Sequence, residues 1–361
     1  MKPKFLSICC LLLLISVSGI AQTTYSISGK IKSAKGAPLE AATIFLAGSQ
    51  RATITNAEGE FTLNNIEVGT YDLMVSMIGY APIKRNLIVR DAPVTFDTVM
   101  QVKPVMLAQV NIGRKVDRES YLKTFIKYFM GESANAKACK IMNPNIIEFS
   151  TNKSELKAYT EDFLIIENPK LGYRVKYLLR NFSYDRLRDA TFYEGESVFE
   201  ELPGTPEQQK TWVTNRLLAY NGSMMHYLRA LYADNTRDQG FLTYQMLNTL
   251  PPIEVTPNPI NTEQLISRTD SNFMQFRYKH RLYVLYDKKK AAADKKPSTK
   301  ESETMKLDDK GSIFMMDGEV DKRGSIAQQK ALLIQNFWGK KRIGDQLPIE
   351  YVPPAADPGS K

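Results

Sequence analysis

Histidine and cysteine are almost missing from this chain: two histidines, His226 and His280, and three cysteines, Cys9, Cys10 and Cys139, serve 361 residues. That scarcity removes whole classes of chemistry. A zinc hydrolase needs imidazole and carboxylate ligands around an open coordination position. Neither histidine has a glutamate three or four residues on, and the two stand far apart in sequence. Gly-x-Ser-x-Gly is absent, so no nucleophile elbow is encoded. Gly339-Lys340-Lys341 lacks both the upstream glycine and the following Ser/Thr of a phosphate-binding loop, and no dinucleotide fingerprint occurs. Long apolar runs are also lacking beyond the N-terminus, so no later stretch is built to cross a bilayer as a helix.

The one apolar run lies at the start. Lys2 and Lys4 precede Phe5–Val17, and Ser18-Gly19-Ile20-Ala21 follows. A charged head, an apolar middle and a small-x-small exit predict an export leader, residues 1–21, cleaved after Ala21. Cys9 and Cys10 precede most of the run and follow Ile8, which is the wrong place for a lipid-modified cysteine. Cleavage lowers the formal charge from +9 to +7, because two lysines leave and no acid does. It also leaves Cys139 alone, so no internal disulfide can staple the mature chain.

Residues 22–112 alternate in the manner of strands. Tyr25, Ile27, Gly29 and Ile31 share one face, as do Ala42, Ile44 and Leu46, and Tyr71, Leu73, Val75 and Met77. Lys35-Gly36 and Glu58-Gly59 are tight-turn pairs, and Phe61, two residues after its turn, points inward. The pattern Ile27-Ser-Gly29, Lys35-Gly36-Ala37-Pro38-Leu39, Thr53-Ile54-Thr55-Asn56-Ala57-Glu58-Gly59-Glu60-Phe61, Val68-Gly69-Thr70-Tyr71 and Ile78-Gly79-Tyr80 resembles the carboxypeptidase regulatory-like domain. Asn56 stands where that family usually has aspartate, and its amide can make the same turn bond. The resemblance implies a Greek-key, prealbumin-like β-sandwich that is not itself a peptidase. Similar domains are frequent in envelope proteins of Bacteroidetes-type bacteria, often ahead of TonB-dependent receptor barrels. Leu107–Arg114 resembles the segment that leads into a receptor plug, but the remaining chain is too short for such a barrel.

Residues 113–350 predict an α+β domain built on antiparallel sheet. Tyr121, Leu122, Phe125, Ile126, Phe129 and Met130 repeat at helical spacing and end at Gly131. Thr205 and Pro206 open a second helix, and Ser223 caps a third after Asn221-Gly222. Arg216–Leu231 is similar to a recurrent segment of uncharacterised envelope proteins, which brings no activity with it. The Lys-rich stretch 287–310 reads as a solvated, disordered insert, and 351–361 as a flexible tail.

Candidate chemistry is thin. Ser223 lies three residues before His226, but a serine opening a helix is a cap. Glu194 and Glu196 share a strand face, followed by Glu200-Glu201, and read as a solvated acidic edge. Tyr173–Arg180 and Phe276–Tyr286 each alternate aromatic and basic positions, the second read as one strand with His280 on its aromatic face. Arg174, Lys176, Arg180, Arg277, Lys279 and Arg281 on neighbouring strands are the candidate binding surface, with an acidic glycan, a lipid headgroup or an envelope protein as partner. No cofactor, metal or nucleic acid is expected. The sequence predicts a mainly β exported chain, a non-catalytic binding or scaffolding protein of the periplasm or the periplasmic face of the outer membrane. The alternative is a hydrolase of envelope glycan.

Overall fold

The computed structural model describes residues 24–103, 115–152, 154–249, 253–268, 272–293, 305–306 and 310–354. The expected export leader, residues 1–21, and the segment Leu107–Arg114 lie outside the described residues.

Eight strands form the N-terminal unit: β1 (Thr24–Ser33), β2 (Thr43–Leu46), β3 (Ala52–Ile54), β4 (Glu60–Glu67), β5 (Gly69–Ser76), β6 (Ile83–Val89), β7 (Val94–Thr95) and β8 (Thr98–Met100). β1 is flanked by β4 on one side and by β7 and β8 on the other, while the order β3-β2-β5-β6 makes the second sheet. The alternation has its physical cause in the core between them. Ile27, Ile31, Ile44, Phe61, Leu73 and Val75 are all buried there, as one face of each strand must be. Asn56 Oδ1 accepts the amides of Glu58 (3.1 Å) and Glu60 (2.7 Å), which closes the turn before β4.

The region after residue 113 is one plan built twice. A helix, α1 (Lys115–Met130), and a short α2 (Ala134–Ala138) precede β9 (Lys140–Ile141), β10 (Ile147–Thr151), β11 (Glu155–Thr160), β12 (Leu164–Asn168), β13 (Tyr173–Asp185) and β14 (Ala190–Glu201). β11 and β12 lie end to end along β13, β10 and β9 lie along them in turn, and β14 runs down the other side of β13. The sheet is therefore a four-run antiparallel meander whose first two runs are broken. α3 (Pro206–Tyr220) and α4 (Met224–Tyr232) follow, then the second meander. Its members are β15 (Phe241–Gln245), β17 (Ile266–Arg268), β18 (Phe273–Arg277), β19 (Leu282–Tyr286), β21 (Ser312–Asp321) and β22 (Ile326–Asn336). Here β18 and β19 lie end to end along β21, β17 and β15 lie along them, and β22 pairs the far side. The two-strand pair β16 (Glu254–Val255) and β20 (Met305–Lys306) is added beside it. α1 packs on the first meander through Phe125 and Phe129, and α4 packs on the second through Tyr227, Leu228 and Leu231.

The capping signals hold. Thr205 and Gln208 form a reciprocal capping box with Pro206 in the first turn, and Ser223 Oγ accepts the amide of His226. Several expectations need correction. Phe276–Tyr286 is not one strand, because β18 ends at Arg277 and β19 begins at Leu282. His280 is exposed in the connection between them. The insert 287–310 opens with a helix, α5 (Lys288–Ala292), capped by Asp287 and with Ala291 buried. The first residue of the expected tail, Tyr351, is buried and its carbonyl accepts from Arg229 at 2.7 Å, while residues 355–361 lie outside the described residues.

Candidate functional site

The basic positions of β13 face the sandwich rather than solvent alone. Ser49 makes a parallel bridge with Val198 of β14, the Gly48 amide donates to the Ser197 carbonyl (2.7 Å), and the Phe199 amide donates to the Ser49 carbonyl (2.8 Å). Phe45 and Met74 of the sandwich are buried with Val198 in one cluster, with Phe163 edge-on to Phe45 at 5.4 Å. Acids on neighbouring strands meet the cations of this face. Arg174 pairs with Glu167 at 2.6 Å, Lys176 with Glu200, and Arg180 with both Glu194 (2.9 Å) and Glu196 (2.6 Å). Cross-strand pairing of this kind is ordinary sheet stabilisation. The acidic edge is corrected at the same time: Glu196 is buried and also takes Lys84 of β6 at 3.4 Å. Burial pushes its carboxyl above the usual range, while Arg180 and Lys84 pull the other way.

The six-residue basic surface is not assembled. Arg174, Lys176 and Arg180 lie on β13 of the first meander, whereas Arg277 ends β18 of the second, and Lys279 and Arg281 fall in the connection after it. Arg277 lies 3.6 Å from Asp317. The sequence expectation failed because alternation fixes a face within a strand and says nothing about which strand lies beside it.

The candidate catalytic side chains are all bound into the framework. His226 Nδ1 accepts the Gly222 amide at 3.1 Å, so Nε2 carries the proton and donates to Gln239 Oε1 at 3.0 Å. Its ring stacks on Tyr220 at 4.6 Å, and burial lowers its pKa. Ser223 Oγ meets the main-chain amide of His226, not its imidazole. The Cys139 thiol donates to the Asn135 carbonyl at 3.4 Å, and burial pushes its pKa up to about 12, aided by Asp345. That keeps it a thiol at neutral pH and a poor nucleophile. Among the described residues, no group of three His, Cys, Asp or Glu side chains could hold a metal ion.

A cleft of about 280 Å³ opens where the sandwich, the β21–β22 turn and the C-terminal segment meet. Its walls carry Arg51, Arg229, Lys322 and Arg323 against Glu67 and Glu350, with Ile66, Tyr71, Ile349 and Val352 as apolar surface. Arg323 is the anchor. Its guanidinium donates to Asp321 Oδ2 (2.5 Å) and the Thr70 carbonyl (3.0 Å) and lies over the Tyr71 ring at 4.1 Å. A Cβ at Gly69 would sit 2.2 Å from Arg323 Nη2, so only glycine leaves room for this contact. Arg229 donates to the carbonyls of Arg323, Ile349 and Tyr351. Glu350 accepts the Gln50 amide at 3.1 Å, and burial raises its pKa. Two pairs remain loose, Arg51–Glu350 at 4.0 Å and Lys322–Glu67 at 3.9 Å. A second opening of about 310 Å³ adjoins it and shares Glu350 and Val352. Sequence reading missed these residues. The one local signal that could have pointed toward them is the Asp321-Lys-Arg-Gly324 turn, which the sequence reading did not use.

With two facing sheets, the turn at Asn56 and the glycine at Gly69 in place, the first unit matches one family model, over residues 27–112. This unit is a CarboxypepD_reg-like domain. No curated protein matches the chain. Solved structures similar to parts of it include a streptococcal ancillary pilin, with 17% identity over 23% of this chain and 33% of that one, at a TM-score of 0.20. The pilus 2b backbone protein of group B streptococcus shows 16% identity over 22% and 42%, at 0.20. A type II cohesin–X-dockerin complex of Acetivibrio cellulolyticus shows 19% identity over 30% and 76%, at 0.21. The chain thus spans less than half the length of the two pilins. At TM-scores this low the likenesses say nothing of what the chain binds or does.

Proposed function

We propose that the chain is an exported, non-catalytic binding or scaffolding protein of the cell envelope, in which the CarboxypepD_reg-like domain forms one wall of a binding cleft. The joint itself carries this reading. Four basic and two acidic side chains from four separated parts of the sequence converge on one opening, and both parts of the molecule are needed to form it. Its chemistry suits a ligand with a carboxylate or phosphate on a partly apolar body, such as an acidic glycan. Arg51 and Lys322 are the cations with loose partners, so they are the ones able to turn toward such a group. The charged head, apolar run and small-residue exit of residues 1–21 support the exported reading.

An acidic oligosaccharide such as oligogalacturonate, passed over the immobilised chain from residue 22 onward, tests the binding reading. Retention should fall about tenfold or more in Arg51→Glu/Lys322→Glu and persist in Arg174→Glu/Lys176→Glu. Cleavage of the oligosaccharide would instead favour the hydrolase alternative. Retention unchanged in the first variant, or none at all, would remove the cleft as its seat.

A further inference from the structure

The duplicated meander gives the molecule two hairpin tips of one build, and only one is covered. In each, an aspartate closes the long third run and a four-residue turn follows, Asp185 before 186–189 and Asp321 before 322–325. The Asp185 carboxylate accepts the amides of Leu187 (2.9 Å) and Arg188 (3.3 Å), and Asp321 accepts those of Arg323 (2.8 Å) and Ser325 (3.1 Å). A helix supports both: Tyr128 of α1 bonds Asp189, and Arg229 of α4 bonds the Arg323 carbonyl. The second tip is sealed against the sandwich by Arg323, which is 8% exposed. In the first tip Leu187 occupies the place of Arg323 and is 85% exposed, with exposed Arg186 and Arg188 on either side. Phe192, 56% exposed, lies on the strand leading away, and Lys127 lies beside Tyr128 at the same end.

We propose that this first tip is a membrane-contacting loop. Leu187 enters the headgroup–acyl boundary of an anionic bilayer, with Phe192 at its margin, while Arg186 and Arg188 meet lipid phosphates. Three observations favour this occupant over a protein surface. The apex is a single apolar side chain between two cations, an arrangement that matches an apolar layer beneath a plane of negative charge. The Asp185 and Asp189 carboxylates behind it are taken up by turn amides, Arg188 at 3.7 Å and the Tyr128 and Tyr184 hydroxyls. Three amides at the apex are satisfied within the chain, that of Arg186 by the Ser154 carbonyl and those of Leu187 and Arg188 by Asp185, so entry into a region without water strands none of these three. The tip that does dock on protein does so through an arginine in a cradle of main-chain and carboxylate oxygens, a set of bonds that leucine cannot make. The formal charge of +7 on the chain from residue 22 onward adds long-range attraction to an anionic surface. One leucine and two arginines give weak, reversible, salt-sensitive attachment rather than anchoring.

Vesicle co-sedimentation tests this on the chain from residue 22 onward, since every described contact lies at residue 24 or later. Vesicles of phosphatidylglycerol and phosphatidylcholine should bind it several-fold more than phosphatidylcholine alone, and 0.5 M salt should release it, as expected when the Debye length shrinks to a few Å, about 4 Å. Leu187→Ser and Arg186→Glu/Arg188→Glu should each cut binding about fivefold or more at unchanged melting temperature. Leu187→Trp should blue-shift in fluorescence on the anionic vesicles only. No binding at low salt, binding indifferent to lipid charge, or binding unmoved by both variants would overturn the proposal. So would tip-dependent self-association without lipid, which would make the tip a protein-docking knob.

Discussion

At the scale of single residues, the side chains that sequence motifs single out as reactive are engaged in holding the fold. His226 illustrates the electrostatic consequence. Burial holds its folded pKa below the ordinary 6.5, so the unfolded chain binds a proton more readily than the native one. Stability from this site is complete above about pH 6.5 and is lost as pH falls from there toward the folded pKa. Chemical denaturation between pH 7.5 and 5 should show a decline in stability that His226→Gln reduces. An unchanged slope in that variant would assign the effect to other groups. Glu196 has the opposite sign: burial disfavours its charged form as well, but for a carboxyl that form is the deprotonated one, so its contribution falls as pH rises.

At the scale of elements, close approach decides where glycine is required. Gly172, which leads into β13, has φ +70°, and a Cβ there would lie 2.2 Å from the Trp212 ring. Trp212 in turn donates to the Pro169 carbonyl at 2.9 Å, fixing α3 across the start of β13. Gly172→Ala should therefore cost about 2 to 4 kcal/mol, combining left-handed backbone strain with overpacking. Urea unfolding would measure it. A loss under about 0.5 kcal/mol would mean that Trp212 moves aside freely. The paired tips make the same point about context: one turn design carries Arg323 into a buried seat and leaves Leu187 bare.

At the scale of the whole molecule, the sandwich is clamped to the first meander by a main-chain bridge and a buried cluster, and to the second by Arg323. The C-terminal segment closes the joint, with the Ile349 amide donating to the Gly48 carbonyl at 2.8 Å. Calorimetry should show one cooperative transition for the chain from residue 22 onward. Phe45→Ala, which opens a cavity at the joint, should cost about 3 to 5 kcal/mol and separate the melting of the sandwich from that of the rest. Two transitions in the unaltered chain would show that the joint does not couple the parts.

Sequence alone determined what depends on near neighbours. The inward alternation of Ile27, Ile31 and Phe61, the turn at Asn56, the cap at Thr205 and the helix ending at Gly131 follow from periodicity and backbone preference within a few residues. Those signals were enough to identify the sandwich. Tertiary structure alone decided which charges meet, because strand order and register link residues far apart in sequence. Arg180 meets Glu196 of the next strand rather than solvent, and Gln50 meets Glu350 across nearly the whole chain. The doubling of the meander was hidden for the same reason. It resides in hydrogen-bonded neighbours, while side chains at matching places, Leu187 and Arg323, have diverged in chemistry. A cleft walled by residues 51, 67, 229, 322 and 350 exists only once those distant segments have packed together.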